Sequence, residues 1–174
     1  DELAYSKTFF DQAQATEVVS DSLYNLALNG ADGKYGLLDI IDNYGGTNAG
    51  NLAKYMAGIS YLKMRDYENA ISQLSDFSTD DQILGALALG NIGDAFAEIN
   101  QLEEALEYYE KAANFDSNEF TSPIYLMKAG RTAMDLKEFK QAEALFTRIK
   151  DQYGKSDEAK EIGGFIQSAQ YAQQ

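Results

Sequence analysis

A spacing, more than any single residue, constrains what this chain can fold into. Alanine recurs in three similar stretches, DYENAISQL (66–74), QLEEALEYY (101–109) and EFKQAEALF (138–146), as Ala70, Ala105 and Ala142, 35 and 37 residues apart. Twelve residues before each alanine stands a glycine: Gly58, Gly93 and Gly130. Three residues past the glycines come Tyr61, Phe96 and Ala133, and three before the alanines come Tyr67, Leu102 and Phe139. Four past the alanines come Leu74, Tyr109 and Phe146. A fixed period of this length marks one supersecondary unit copied in tandem.

The middle copy, GNIGDAFAEINQLEEALEYYEKAA (90–113), reads as two helices with a break at Ile99–Gln101. Gly93 then lies inside a helix, where glycine costs about 1 kcal/mol relative to alanine. Small residues on two helices joined by a short turn allow close approach, and the residues between them fill the seam. Each buried aromatic or leucine returns roughly 1.5–3 kcal/mol, which outweighs the glycine. Gly93 is therefore expected against the helix of Ala105, Gly58 against that of Ala70, and Gly130 against that of Ala142. Thr79 with Gln82 has capping-box spacing, Asn100 with Glu103 resembles it, and Ser122 precedes Pro123 at an expected helix start. The two extra residues of the longer step fit the loop DSNEFTSP (116–123).

Outside the three copies the pattern weakens. SLYNLALNG (22–30) and YGLLDIIDNY (35–44), joined by the turn NGADG, read as a degenerate unit with a shortened second helix. DELAYSKTFFDQAQA reads as a further helix at the start. Ser156 is expected to cap a last helix over 157–170, with Ile162, Phe165, Ile166 and Ala169 on one apolar stripe that covers the open edge of the final repeat. The expected organisation is a single all-α structural domain of nine or ten helices. It comprises N-terminal helices with a degenerate repeat (1–46), three repeats within 47–155 (about 48–80, 81–118 and 122–155), and a capping helix (156–174).

These residues resemble the tetratricopeptide repeat, a helix–turn–helix unit of 34 residues. GNIGDAFAEINQLEEALEYYEKAANFDS (90–117) matches best, and 51–77 and 124–150 follow it. Leu89 and Met127 stand where the family often has tryptophan, Ala133 replaces an aromatic, and no repeat ends in proline. The resemblance implies an α–α superhelix, a TPR solenoid whose concave groove binds protein. The wider order, LALNG, then LLDIIDNYGGTNAGNLAKYMAGISYL, then the repeats, is similar to bacterial envelope proteins in which a membrane helix precedes a periplasmic repeat domain. Some of those are ancillary subunits of the secretory translocon. That similarity implies an envelope location facing the periplasm, with the cytoplasm as the alternative.

Composition narrows the chemistry. The net charge is −14, and neither cysteine nor histidine is present. Thiolate nucleophiles, disulfides, cysteine metal sites and the commonest general base are thereby removed. A surface this acidic does not suit nucleic acid. Residues 1–122 carry 6 basic and 21 acidic side chains, a net of −15, whereas 123–174 are close to neutral. A solvated acidic surface accounts for this, and so does steering of a basic partner. No run approaches the length of a membrane span, ILGALALG (83–90) being the richest. Because Asp1 is not an initiating methionine, the chain is expected to be a fragment or processed product, with any anchor ahead of it.

Nothing in the pattern assembles a catalytic site, and no cofactor or metal is expected. Glu103, Glu107 and Glu110 fall at helical spacing and read as a solvated stripe, not as a hydrolytic pair converging in a cleft. NGADG lacks the alternating ligands of a calcium loop, and GADGKYG lacks the end of a phosphate loop. Tyr61, Tyr67 and Tyr109 occupy seam positions and read as core.

The family's groove face, carried onto this chain, implies Tyr55, Ile59 and Leu62 from the first repeat, Asp94 from the second, and Lys128, Arg131 and Met134 from the third. Repeat domains that hold a chaperone's C-terminal carboxylate use lysine and asparagine, then asparagine, then lysine and arginine. The matching positions here are Tyr55, Ile59, Asn91, Tyr125 and Ala129, and only Asn91 agrees. The expected function is binding of a protein or peptide segment in the groove. The alternative is a self-associating scaffold that docks through Ile162, Phe165 and Ala169.

Overall fold

The computed structural model describes residues 2–15, 21–31 and 33–174. Asp1 of the first expected helix and Asp32 of the NGADG turn lie outside them. Among the described residues there are ten α-helices: α1 (Glu2–Ala15), α2 (Asp21–Asn29), α3 (Leu37–Tyr44), α4 (Asn48–Lys63), α5 (Tyr67–Ser75), α6 (Gln82–Glu98), α7 (Leu102–Asn114), α8 (Thr121–Asp135), α9 (Phe139–Gln152) and α10 (Ile162–Tyr171). A 3-10 turn occupies Glu158–Lys160. The sequence reading treats the chain as one domain, whereas its contacts divide it into two compact units, Asp1–Ser78 and Thr79–Gln174.

In the first unit Leu28 of α2, Leu37 and Ile40 of α3, and Ala53, Met56 and Ala57 of α4 form the core, with Leu3, Phe9 and Phe10 of α1 packed on it. The wholly buried Ser6 donates to the Tyr35 carbonyl (2.6 Å) and fixes α1 to the segment leading into α3. α2 ends at Gly30, whose φ of +69° reverses the chain at little steric cost. Helix α4 is capped by Thr47, whose hydroxyl accepts from the Gly50 amide at 3.1 Å.

In the second unit α6, α7, α8, α9 and α10 pack each on the next. Its core runs from Ala86 to Ala169 and includes Leu106, Tyr109, Tyr125, Leu126, Phe146 and Ile149.

The repeated glycines are all buried, and so are Ala70, Ala105 and Ala142. What fills each notch is the residue four past the alanine. A methyl on Gly58 would lie 2.5 Å from the Leu74 side chain, on Gly93 2.7 Å from the Tyr109 ring, and on Gly130 2.3 Å from the Phe146 ring. The alanine lets the second helix approach, and the larger side chain one turn on enters the gap. Helix α6 carries two further notches, with Phe115 seated on Gly85 and Tyr125 on Gly90.

The turn inside each repeat is also a copied device. Arg65, Asn100 and Lys137 have φ of 61°, 60° and 63°. In each case the next residue's amide bonds back to a carbonyl five residues earlier: Asp66 to Tyr61, Gln101 to Phe96, Glu138 to Ala133. This is the Schellman termination, in which a left-handed residue satisfies the last carbonyls of the first helix.

The helix starts correct the expected caps. Asp81, not Thr79, caps α6, because its carboxylate stands next to the helix and accepts from Ile83 N (3.0 Å) and Leu84 N (2.7 Å). Asn100 cannot cap α7, since its left-handed backbone belongs to the turn, and Gln101 takes the cap position without a side-chain bond. α8 begins at Thr121, so Ser122 and Pro123 lie in its first turn, where a missing N–H costs nothing. Asn118 supplies the cap from upstream, accepting from Phe120 N (2.9 Å) and Thr121 N (2.8 Å).

The last helix is shorter than expected. Ser156 accepts from the Ala159 amide at 3.3 Å and opens the 3-10 turn, and Glu161 at φ −114° interrupts the path before α10. The stripe on α10 is already engaged: Ile162 and Ala169 are buried, and Phe165 lies 5.3 Å from Phe146. Docking of that stripe onto another copy, as the scaffold alternative requires, would undo this packing.

Gly130→Ala is expected to cost about 1–3 kcal/mol, the usual penalty for overpacking. Lys137→Gly is expected to add about 0.5–1 kcal/mol by removing the left-handed penalty, less glycine's extra freedom when unfolded. Urea unfolding followed by circular dichroism checks both signs.

Candidate functional site

The expected groove residues fall in both units. In the first, Tyr55 of α4 is half-buried with its ring 5.1 Å from Phe77, and burial raises its hydroxyl pKa. Leu62 is half-buried, while Ile59 is 8% exposed and offers a partner little area. The same helix holds the segment after α5: Asn51 Nδ2 donates to the Ser78 carbonyl (2.7 Å) and Asn51 Oδ1 accepts from the Ser78 amide (3.1 Å).

In the second unit the structure brings Asp94 and Lys128 together. Lys128 Nζ lies 2.6 and 2.8 Å from the two Asp94 carboxylate oxygens. Tyr109 donates to Asp94 Oδ1 at 2.7 Å. The Lys128 ammonium also stands over the Tyr109 and Tyr125 rings, 5.5 and 5.7 Å from their centres. These rings are stacked 6.5 Å apart. The staple thus joins α6, α7 and α8 through one carboxylate, one ammonium and two phenols. Both charged side chains keep more than a third of their surface exposed, so the ion pair contributes at most about 1 kcal/mol and each ring contact a similar amount.

Arg131, one turn past Lys128, is exposed and lies over the Phe165 ring at 5.0 Å. Among the described residues it has no carboxylate within ion-pair distance. Met127 and Met134 flank it, half-buried against the core. Met127, Arg131, Phe165 and Lys160 line a shallow pocket whose acidic side is Asp157, Glu158 and Glu161. Asp94 and Lys128 were expected as separate points along a groove, and the structure makes them a pair. Sequence reasoning missed Tyr109 as the support of that pair and Phe165 as the support of Arg131, having assigned Tyr109 to the core and Phe165 to the stripe that covers the last repeat. The available signal was the separation of Asp94 from Lys128, about one repeat, which puts opposite charges on neighbouring first helices.

The carboxylate-holding arrangement finds no counterpart: Tyr125 and Ala129, at two of its cationic positions, are buried. Glu103 and Glu107 lie exposed on α7, with Glu107 paired to Lys111. Among the described residues no helix is long and apolar enough to cross a membrane.

A family model described as "Tetratricopeptide repeat" matches residues 55–119, from within α4 to the residues before α8. Over these 65 of its 174 residues the chain is similar to tetratricopeptide repeats. The same glycine notch and left-handed turn recur in α8 and α9, which extends the tetratricopeptide geometry to a third copy. A crystal structure of nearly identical TPR-like repeats, from a kinesin light chain of Podosopora anserina, is similar with a TM-score of 0.67. The match covers 99% of this chain and 84% of that one at 9% identity, a likeness of fold alone. The fold is accordingly all-α, with helices packed in sequence as in a TPR superhelix. No curated protein matches the sequence at a significant level.

Burial raises the Tyr109 hydroxyl pKa far above the phenol value of 10.0, and its hydrogen bond to the Asp94 carboxylate raises it further. A raised folded-state pKa gives stability that is complete below the unfolded value and lost as pH climbs above it. Tyr109→Phe keeps the ring in the Gly93 notch and removes the hydroxyl. It is expected to lose about 1 kcal/mol at neutral pH and to flatten the fall in stability above pH 10 that the parent shows, as read by urea unfolding across that range.

Proposed function

We propose that the chain is a non-catalytic binding module that takes a peptide or protein segment on the first-helix face of its second unit, along α6 and α8. Tetratricopeptide repeats are in general protein–protein interaction modules, and their family is typically non-catalytic. The observation that carries the reading is Arg131: an exposed guanidinium, held in place by Phe165, beside two methionines that adapt to varied shapes. Lys128 is neutralised by Asp94, so it acts chiefly as part of the rigid floor, and Arg131 is the contact. Tyr55 and Leu62 of the first unit are the corresponding contacts there.

An envelope location is part of the proposal and rests only on the resemblance of the segment before and into the first repeat. Fractionation of the full-length protein tests it, and recovery in the cytoplasm removes it.

Photocrosslinking in cells from position 134 on α8, compared with position 104 on the outer face of α7, identifies the binding side. Crosslinks are expected from 134 and not from 104. Arg131→Ala is expected to weaken capture of the crosslinked partner about tenfold, a loss of about 1.4 kcal/mol, with the domain still folded by circular dichroism. Unchanged affinity would remove Arg131 from the site.

A further inference from the structure

Three of the large apolar side chains that the protein leaves exposed gather at one end of the second unit. Ile83 (38%) lies in the first turn of α6, and Phe120 (76%) and Ile124 (42%) lie at the start of α8. Ile83 and Phe120 occupy equivalent positions in successive repeats, 37 residues apart like Gly93 and Gly130. Helices α6 and α8 are in contact, with Tyr125 in the first turns of α8 seated on Gly90, and Phe115, which ends α7 just before α8, seated on Gly85 near the start of α6. Ile124 is one turn before Lys128, so this ledge is the entrance to the face proposed above.

The charges around it are of one sign. Asp80, Asp81, Asp116 and Glu119 flank the three side chains, all exposed. No lysine or arginine occurs between Arg65 and Lys111, or between Lys111 and Lys128. Asp81 is committed to capping α6. The two helix N-termini offset about one unit of negative charge between them, which leaves the ledge clearly negative.

We infer that this ledge docks a basic amphipathic helix, whose apolar face covers Ile83, Phe120 and Ile124 while its lysines or arginines meet Asp80, Asp116 and Glu119. Charge complementarity selects this occupant. An acidic segment would be repelled, and a second copy of a chain with net charge −14 would bring like charge to like. The helix-in-groove mode supplies the affinity from apolar anchors and the on-rate from charge. The inference rests on the reading that the α6–α8 face binds a partner, and it names that partner's chemistry.

The test uses a synthetic amphipathic helix of leucine and lysine, its leucine–glutamate counterpart, and fluorescence anisotropy at low and high salt. The lysine peptide is expected to bind and to weaken with salt, and the glutamate peptide is not. Phe120→Ser with Ile124→Ser is expected to weaken binding about tenfold or more. Asp80→Asn, Asp116→Asn and Glu119→Gln together are expected to flatten the salt dependence, whereas Glu103→Gln, Glu104→Gln and Glu107→Gln on α7, equal in charge, are not. All of these residues are exposed, and an unchanged melting temperature verifies folding.

Equal binding of the lysine peptide to the serine variant would overturn the inference, since attraction would then be unspecific. So would equal effects from the two charge-removal sets. Self-association that Phe120→Ser abolishes would assign the ledge to a second copy and overturn it as well. Loss of binding in the serine variant with no effect of Arg131→Ala would keep the ledge and remove the deeper groove contact.

Discussion

In each repeat the fold depends on one contact, a large side chain of the second helix entering a gap where the first helix has no side chain. Leu74, Tyr109 and Phe146 fill the space at Gly58, Gly93 and Gly130. The helix pays for the glycine with about 1 kcal/mol, and burial of the entering group returns roughly 1.5–3 kcal/mol. The contact also fixes register, because a ring fits the notch at one rotation and one height. Alanine on the facing helix is necessary for this, as its small size brings the helix axes close enough for the ring one turn on to reach.

That packing determines what the exposed face presents. With Tyr109 anchored at Gly93, its hydroxyl emerges at Asp94, the adjacent residue, and the carboxylate is held where Lys128 of the next repeat meets it. Tyr125, seated on Gly90, closes the other side of the ammonium. Thus the polar staple between repeats grows out of the apolar notches beneath it. Arg131 then follows one turn later, positioned by Phe165, and Phe165 is itself placed by its contact with Phe146 in the third notch. Binding surface and core share their aromatic residues, so the face is rigid because the core is.

Much of the architecture was legible because a period survives changes of residue type: Tyr61, Phe96 and Ala133 differ, yet the glycines and alanines around them keep phase. The helices that carry the alanines face the glycines as expected, and on them it is Leu74, Tyr109 and Phe146 that enter the gaps, since spacing alone does not tell which of two residues one turn apart does so. Helix caps were less legible. Thr79, Asp80 and Asp81, or Ser117, Asn118 and Ser122, all offer a suitable oxygen, and backbone angles decide among them. The left-handed turns at Arg65, Asn100 and Lys137 carry no glycine and so gave no local signal. In the candidate site, residue types were readable and pairings were not, because Asp94 and Lys128 meet only through the packing of three helices.

The most direct test of the glycine-notch account is a double-mutant cycle between Gly130→Ala and Phe146→Leu, read by urea unfolding. If the ring occupies the notch, the alanine costs far less once the ring is shortened, with a coupling of about 1 kcal/mol or more. If the two losses simply add, to within about 0.5 kcal/mol, the ring and the glycine do not share a space and the account is contradicted.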